Sequence, residues 1–170
     1  MKKRIHYFLL IAVLLVFQSC EDRSTTVSND DSQINDLLNQ WHKDVSQYEF
    51  EAYFNAMTDD AVFIGTDATE VWSKQEFMAF SKPYFERKQT WDFKPLERHV
   101  YLSDKADLAW FDETLNTWMG ICRGSGVVVK HNDKWLIQHY VLSMTIPNEV
   151  SSEVVSLKQK QDSVFLSKIH

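Results

Sequence analysis

Between residues 33 and 147 the spacing of apolar positions changes its period. Ile34, Leu37, Leu38, Trp41 and Val45 recur at steps of three and four, the signature of one helical face, and Ser32 stands at the position of an N-cap. A second short helical stretch carries Phe50, Tyr53, Phe54 and Met57 on one side. Asp59-Asp60 reads as a turn, followed by a short strand, Ala61-Val62-Phe63-Ile64, that ends at Gly65-Thr66-Asp67. Ser73 with Glu76 three residues later forms a capping box for a third helix bearing Phe77, Phe80, Tyr84 and Phe85, which Pro83 kinks or ends early.

After that helix the period becomes two. Residues 91–102 read as a strand weakened by Pro95. Residues 106–117 alternate, with Leu108, Trp110, Asp112 and Thr114 on one face and Ala109, Phe111, Glu113 and Leu115 on the other. Residues 121–130 form a further strand, His131-Asn132-Asp133-Lys134 a hairpin turn, and 135–145 the last strand, stopped by Pro147. Residues 148–170 are polar with scattered Val and Leu and read as a tail or surface helix of modest stability. Helices, one strand, a helix and then a long meander make an α+β order. A curved antiparallel sheet wrapped around the N-terminal helices encloses a cone-shaped pocket. The large aromatics Trp91, Trp110, Trp118 and Trp135 are expected mostly in the core.

The first twenty residues have a different logic. Lys2, Lys3 and Arg4 precede a ten-residue apolar run from Phe8 to Phe17, too short to span a bilayer and suited to an export signal. The run leads to Val16-Phe17-Gln18-Ser19-Cys20, which resembles a lipobox, with Phe17 where Leu is usual. This predicts a signal peptide over 1–19, lipid on Cys20, and a flexible polar tether over 20–32. The membrane is then the partner of the lipid, and the chain is placed in the cell envelope, periplasmic or at the cell surface. Glu21-Asp22 is similar to surface-sorting signals of Bacteroidetes lipoproteins.

Composition narrows the function classes. The chain of 170 residues is 44% hydrophobic and 14% aromatic, with six Trp and eleven Phe. So many rings in one small domain suit a lined cavity. The formal charge is −6, of which Lys2, Lys3 and Arg4 contribute +3, leaving −9 from Cys20 onward. An acidic domain without a basic stripe is a poor partner for nucleic acid. With Cys20 lipidated, Cys122 has no partner for a disulfide and reads as a small buried apolar residue. The sequence has no HExxH, no CxxC and no glycine-rich phosphate loop, and its histidines lack metal-ligand spacing, so neither metal nor cofactor is expected.

The order of elements resembles the nuclear transport factor 2-like superfamily, and several local words resemble its SnoaL-like branch. These are Asp60-Ala61-Val62-Phe63-Ile64-Gly65-Thr66-Asp67, Glu70-Val71-Trp72-Ser73-Lys74, Asp107-Leu108-Ala109-Trp110-Phe111-Asp112-Glu113, Arg123-Gly124-Ser125-Gly126-Val127, and the run from Lys134 to Ser143. The resemblance covers residues 33–147. The last strand is also similar to the association domain of calcium/calmodulin-dependent kinase II. There and in many SnoaL-like chains it carries two histidines and a serine at alternate positions. Here those positions hold His139, Val141 and Ser143, so the second histidine is missing. The superfamily implies either a ligand-binding module or an isomerase or dehydratase working by acid–base chemistry.

The candidate catalytic pair is His139 with Asp112. His139 shares a strand face with Ile137, Val141 and Ser143 if that face lines the cavity. Asp112 and Glu113 point opposite ways, so one of them faces inward; Asp112 alternatively pairs with Arg123 on the neighbouring strand. Candidate ligand-binding residues are Asp67, Trp72, Trp110, Arg123 and Ser143; Asp67 also reads as a turn residue and Trp72 as a packing anchor. If the opposite strand parity faces inward, Glu113 and Tyr140 become the pair. Apolar residues on both faces of the strands predict a homodimer. A binding module for a small, partly apolar ligand or a partner protein is the preferred reading, with the acid–base enzyme as the alternative.

Overall fold

A computed structural model describes residues 23–169. Cys20 and the export-signal segment lie outside the described residues.

Helix α1 (Arg23–Ser46) buries Ile34, Leu38, Trp41 and Val45, each at most 2% exposed, along the stripe that the sequence spacing marks. It starts ten residues before Gln33, so residues 23–32, read above as tether, are helical. Asp30 explains the extension: it is buried, and its Oδ1 accepts from Lys130 Nζ at 2.7 Å and Trp135 Nε1 at 3.1 Å. Those two bonds pin the first turns of the helix to the far hairpin. They belong to residues 100 positions away, which local periodicity cannot reveal.

Helix α2 (Phe50–Asn55) follows, then strands β1 (Met57–Ile64) and β2 (Val71–Ser73), helix α3 (Lys74–Glu86), and strands β3 (Lys94–Leu102), β4 (Leu108–Thr117), β5 (Gly120–His131) and β6 (Lys134–Met144). A 3-10 turn (Asn148–Val150) leads into α4 (Ser151–Ile169). The capping box at α3 is present: the Ser73 side chain accepts from the Glu76 amide while the Glu76 carboxylate takes the Ser73 amide. The helix runs on past Pro83 to Glu86. Its starter residues also pair: β2 is a short strand against the end of β1, through Phe63 and Trp72.

The strands form one curved sheet in the order β2-β1-β6-β5-β4-β3, in which β1 and β6 run parallel and all other neighbours antiparallel. Pro95 is tolerated because β3 is an edge strand and its register shifts between Pro95 and Glu97. The concave face holds Ala109, Phe111, Glu113 and Leu115 of β4, Cys122 and Val128 of β5, and Ile137, Tyr140 and Leu142 of β6, all buried. Cys122 is a free, buried thiol.

Two expectations about faces change here. A register shift between Val127 and Val128 makes Gln138 an extra residue in β6, so Ile137 points inward while His139, Val141 and Ser143 point outward. Strict alternation would have kept Ile137 and His139 together. Second, Trp135 is core at 5% exposure, but Trp110 is 49% and Trp118 81% exposed. Trp110 stands on the convex face, stacked on Tyr101 at 5.7 Å, and Trp118 lies in the tight connection between β4 and β5.

Candidate functional site

Two features occupy the interior of the cone, and a layer of rings separates them. The deeper feature is a buried polar network centred on Glu113 of β4. Glu113 is fully buried, and each of its oxygens takes two hydrogen bonds. Oε1 accepts from Tyr140 Oη at 2.8 Å and pairs with His42 Nε2 at 2.7 Å; Oε2 accepts from Arg98 Nε at 2.9 Å and Nη2 at 2.7 Å. Arg98 Nη1 reaches back to α1, donating to Asn39 Oδ1 at 2.9 Å and Asn35 Oδ1 at 3.2 Å. Burial raises the Glu113 pKa, but the His42 hydrogen bond and charge, with the Arg98 charge, outweigh it and hold the carboxyl below its ordinary range. Burial, and then the neighbouring Glu113 charge, pushes the Tyr140 hydroxyl well above the usual phenol value.

A general base needs a vacant acceptor position within reach of its substrate. A carboxylate offers about four lone-pair sites, and those of Glu113 are filled by four protein donors. The network ties α1, β3, β4 and β6 together at the point where the sheet wraps the helix, which is the work of a structural link.

The second feature is a pocket of about 150 Å³ formed by α3, the 65–70 loop and the β4–β5 connection. Rings dominate its walls: Phe63, Trp72, Phe77, Phe80, Trp91 and Phe93, with exposed Trp118 beside it. The wall is rigid because its rings stack on one another, Phe63 on Phe77 at 4.0 Å and Trp72 on Phe80 at 4.6 Å. Phe63 and Phe93 also form the partition to the network: Phe63 lies 5.6 Å from the Tyr140 ring and Phe93 lies 6.4 Å from His42.

Of the residues nominated from sequence, Trp72 lines this pocket. His139 and Asp112, expected together in the cavity, both lie on the convex face, because the bulge at Gln138 and the parity of β4 turn them outward. There Asp112 sits 3.5 Å from Arg123 Nη1 and 3.5 Å from His99 Nδ1, the ion pair weighed above as its alternative role. Trp110, Arg123 and Ser143 share that outer face and do not touch the pocket. Asp67 is a turn residue whose Oδ1 accepts from the Thr69 amide at 2.9 Å, and it borders a separate groove between the 66–69 loop and α4. The opposite-parity pair, Glu113 and Tyr140, does meet in the interior.

His42 and Arg98 did not emerge from the sequence reading. Arg98 carried a readable signal: it shares parity with Val100 and Leu102, and a cation on the apolar side of a strand must find a buried anion. Glu70 and Trp118 were also missed as pocket residues, because loop geometry alone brings them there. Among the described residues no cluster of His, Cys, Asp or Glu is arranged to hold a metal ion, and no helix is long and apolar enough to cross a membrane.

The SnoaL-like domain model matches residues 34–147, two thirds of the chain. The chain belongs to the SnoaL-like domain family. Solved structures agree in fold. A cystatin-like-fold protein of unknown function from Nostoc punctiforme is 16% identical over 83% of this chain and 96% of its own, with a TM-score of 0.64. A nuclear transport factor 2-like protein of unknown function from Pseudomonas putida is 15% identical, covering 72% and 92% of the two chains, with a TM-score of 0.61. A provisional dehydratase of the same superfamily from Streptomyces avermitilis is 14% identical over 71% and 99%, also at 0.61. At these identities the likeness of the SnoaL-like domain to its structural neighbours is one of fold. No curated protein matches the sequence.

Proposed function

We propose that this SnoaL-like protein is a lipid-anchored binding module of the cell envelope that holds a small, partly apolar ligand in its aromatic pocket. The observation that carries the reading is the contrast between the two interior features. The pocket is ring-lined and adjoins the surface, whereas Glu113, deep in the cone, has its acceptor positions occupied by protein donors. The acid–base alternative draws no support from His139 and Asp112, which stand on the other side of the sheet from the pocket.

The anchor is argued from Lys2, Lys3, Arg4, the apolar run and Cys20. Wild-type chain expressed with a labelled fatty acid should carry the label and partition into detergent, and Cys20→Ser should do neither; an unlabelled wild type would exclude the anchor. The binding function is tested by screening full-length protein against a small-molecule library for a rise in melting temperature. A hit should lose its shift in Trp72→Ala. Hits that keep their shift in that variant would place binding elsewhere.

We also propose that two copies associate through the convex face. Tyr101, Leu108, Trp110 and Ile121 are all exposed there at 36–49%, an apolar surface that a second copy of the same sheet would cover.

A further inference from the structure

Among the described residues, the lining of the aromatic pocket has one ionisable side chain, Glu70, and no Lys, Arg or His. Glu70 is held in place from three directions. Its Oε2 accepts from the Asp67 amide at 3.1 Å, its own carbonyl accepts from the Gly65 amide at 2.9 Å, and its amide donates to the Asp67 carbonyl at 2.9 Å. Gly65 completes the arrangement, since a Cβ there would overlap Glu70 Oε2. Oε1 of Glu70 has no hydrogen-bond or ion-pair partner among the described residues. This is the reverse of Glu113, whose charge is spent inside the protein. Glu70 is fixed and half-buried, with one oxygen still to be satisfied, at the edge of seven aromatic rings.

Rings and a carboxylate together favour one ligand charge. The faces of Trp and Phe attract a cation, and more strongly once it is desolvated. Trp118 makes no ring contact with any described residue, so its faces are free at the rim. An anion would meet Glu70 with no compensating cation in the wall, a like-charge approach in a partly dry site. The acidic balance of the chain beyond the export signal adds a long-range field of the same sign preference. At about 150 Å³ the pocket is below the range of drug-sized sites, so it admits a compact group.

Resting on the binding function argued above, we infer that the pocket selects a small organic cation of the ammonium class over neutral and anionic molecules of the same shape. The test uses full-length protein in detergent and three probes of matched shape: choline, its uncharged carbon isostere 3,3-dimethylbutan-1-ol, and the anion 3,3-dimethylbutyrate. Binding is read from tryptophan fluorescence. The expected result is saturable binding of choline about tenfold tighter than of the alcohol, and none of the anion. Glu70→Gln, whose amide oxygen can still accept from the Asp67 amide, should remove most of the preference for choline over the alcohol. Trp118→Leu should weaken choline without altering the melting temperature. Equal binding of choline and the alcohol, or tighter binding of the anion, overturns the cation inference and leaves the pocket as a binding site. Absence of saturable binding for all three overturns the inference too, and a library hit lost in Trp72→Ala would then show that the site binds a different class.

Discussion

The Tyr140 hydroxyl of β6 lies over Gly124 of β5, and the absence of a side chain at 124 is what lets that hydroxyl reach Glu113. A Cβ on Gly124 would overlap that hydroxyl and come within 3.0 Å of Glu113 Cγ. The neighbours cannot retreat, since Tyr140 is packed on Trp41 at 4.8 Å and Phe63 at 5.6 Å. Gly124→Ala should therefore cost about 1–3 kcal/mol through overpacking. In the Gly124→Ala/Tyr140→Phe double variant the overlap with the hydroxyl is gone, so the two losses should be less than additive by 0.5 kcal/mol or more. Urea denaturation of the four proteins measures this, and strict additivity would mean that the two residues do not compete for the same space.

Glu113 should make stability depend on pH with a definite sign. Its carboxyl lies below the ordinary value of 4.5 in the folded chain, because His42 and Arg98 favour the charged form over the opposing effect of burial. A depressed carboxyl contributes stability above its unfolded value, and that contribution is lost as pH falls through the folded value. Glu113→Gln leaves the Arg98 guanidinium, 5% exposed, without its charge partner, and should cost about 3–5 kcal/mol at neutral pH. The gap between wild type and variant should be largest at neutral pH and shrink as pH drops below 4.5. Asp60, Asp67 and Glu76 are also lowered, but they are exposed and common to both proteins, so they cancel in the difference. A gap that stays constant from pH 7 to pH 3 would show that the effect is packing and not charge.

Much of this architecture is visible in the chain because periodicity is local. The stripe Ile34, Leu38, Trp41, Val45 and the alternation of β4 are set by contacts of whole faces, and the structure places those faces as the spacing implies. Where reading by parity fails, the cause is a single residue. The extra Gln138 in β6 inverts the relation between Ile137 and His139, and nothing in the local sequence marks a bulge whose partner register is set on β5. Asp30 is a similar case: a polar residue in a polar stretch becomes buried because Lys130 and Trp135 arrive from the opposite end of the domain. The pocket was legible as an abundance of aromatics and not as a list of residues. Two of its members, Glu70 and Trp118, sit in connections whose path only the closed sheet determines.

The two tryptophans of the pocket should behave differently when removed. Trp118 is 81% exposed, and its loss to Ala should change stability by no more than about 0.5 kcal/mol. Trp72 stacks between Phe77 at 5.7 Å and Phe80 at 4.6 Å, so Trp72→Ala should cost on the order of 2–4 kcal/mol. Thermal melts of both variants separate the cases. A large loss for Trp118→Ala would mean that the ring packs against a surface outside this chain.

The convex face makes the last prediction. Tyr101 and Trp110 stack there at 5.7 Å with 44% and 49% of their surface open, on the same face as Leu108 and Ile121. Leaving such a patch in water forgoes roughly 25 cal/mol for each Å² that association would bury. Charged groups share the face: Asp112 lies 3.5 Å from Arg123 Nη1, so that the carboxylate and the guanidinium offset one another on the same surface and need not repel a second copy. A two-fold contact would bring the Trp110 stack of one copy against the same face of the other, a self-complementary arrangement in which one substitution acts twice. Trp110→Glu therefore adds two charges to the interface and should turn a dimer into a monomer, while leaving the melting temperature of the isolated copy nearly unchanged because the residue is half exposed already. Sedimentation velocity of full-length protein at micromolar concentration in a detergent of known micelle mass reads the result. A wild type that sediments as a monomer, or a Trp110→Glu variant that stays dimeric, would show that two copies do not meet through this face.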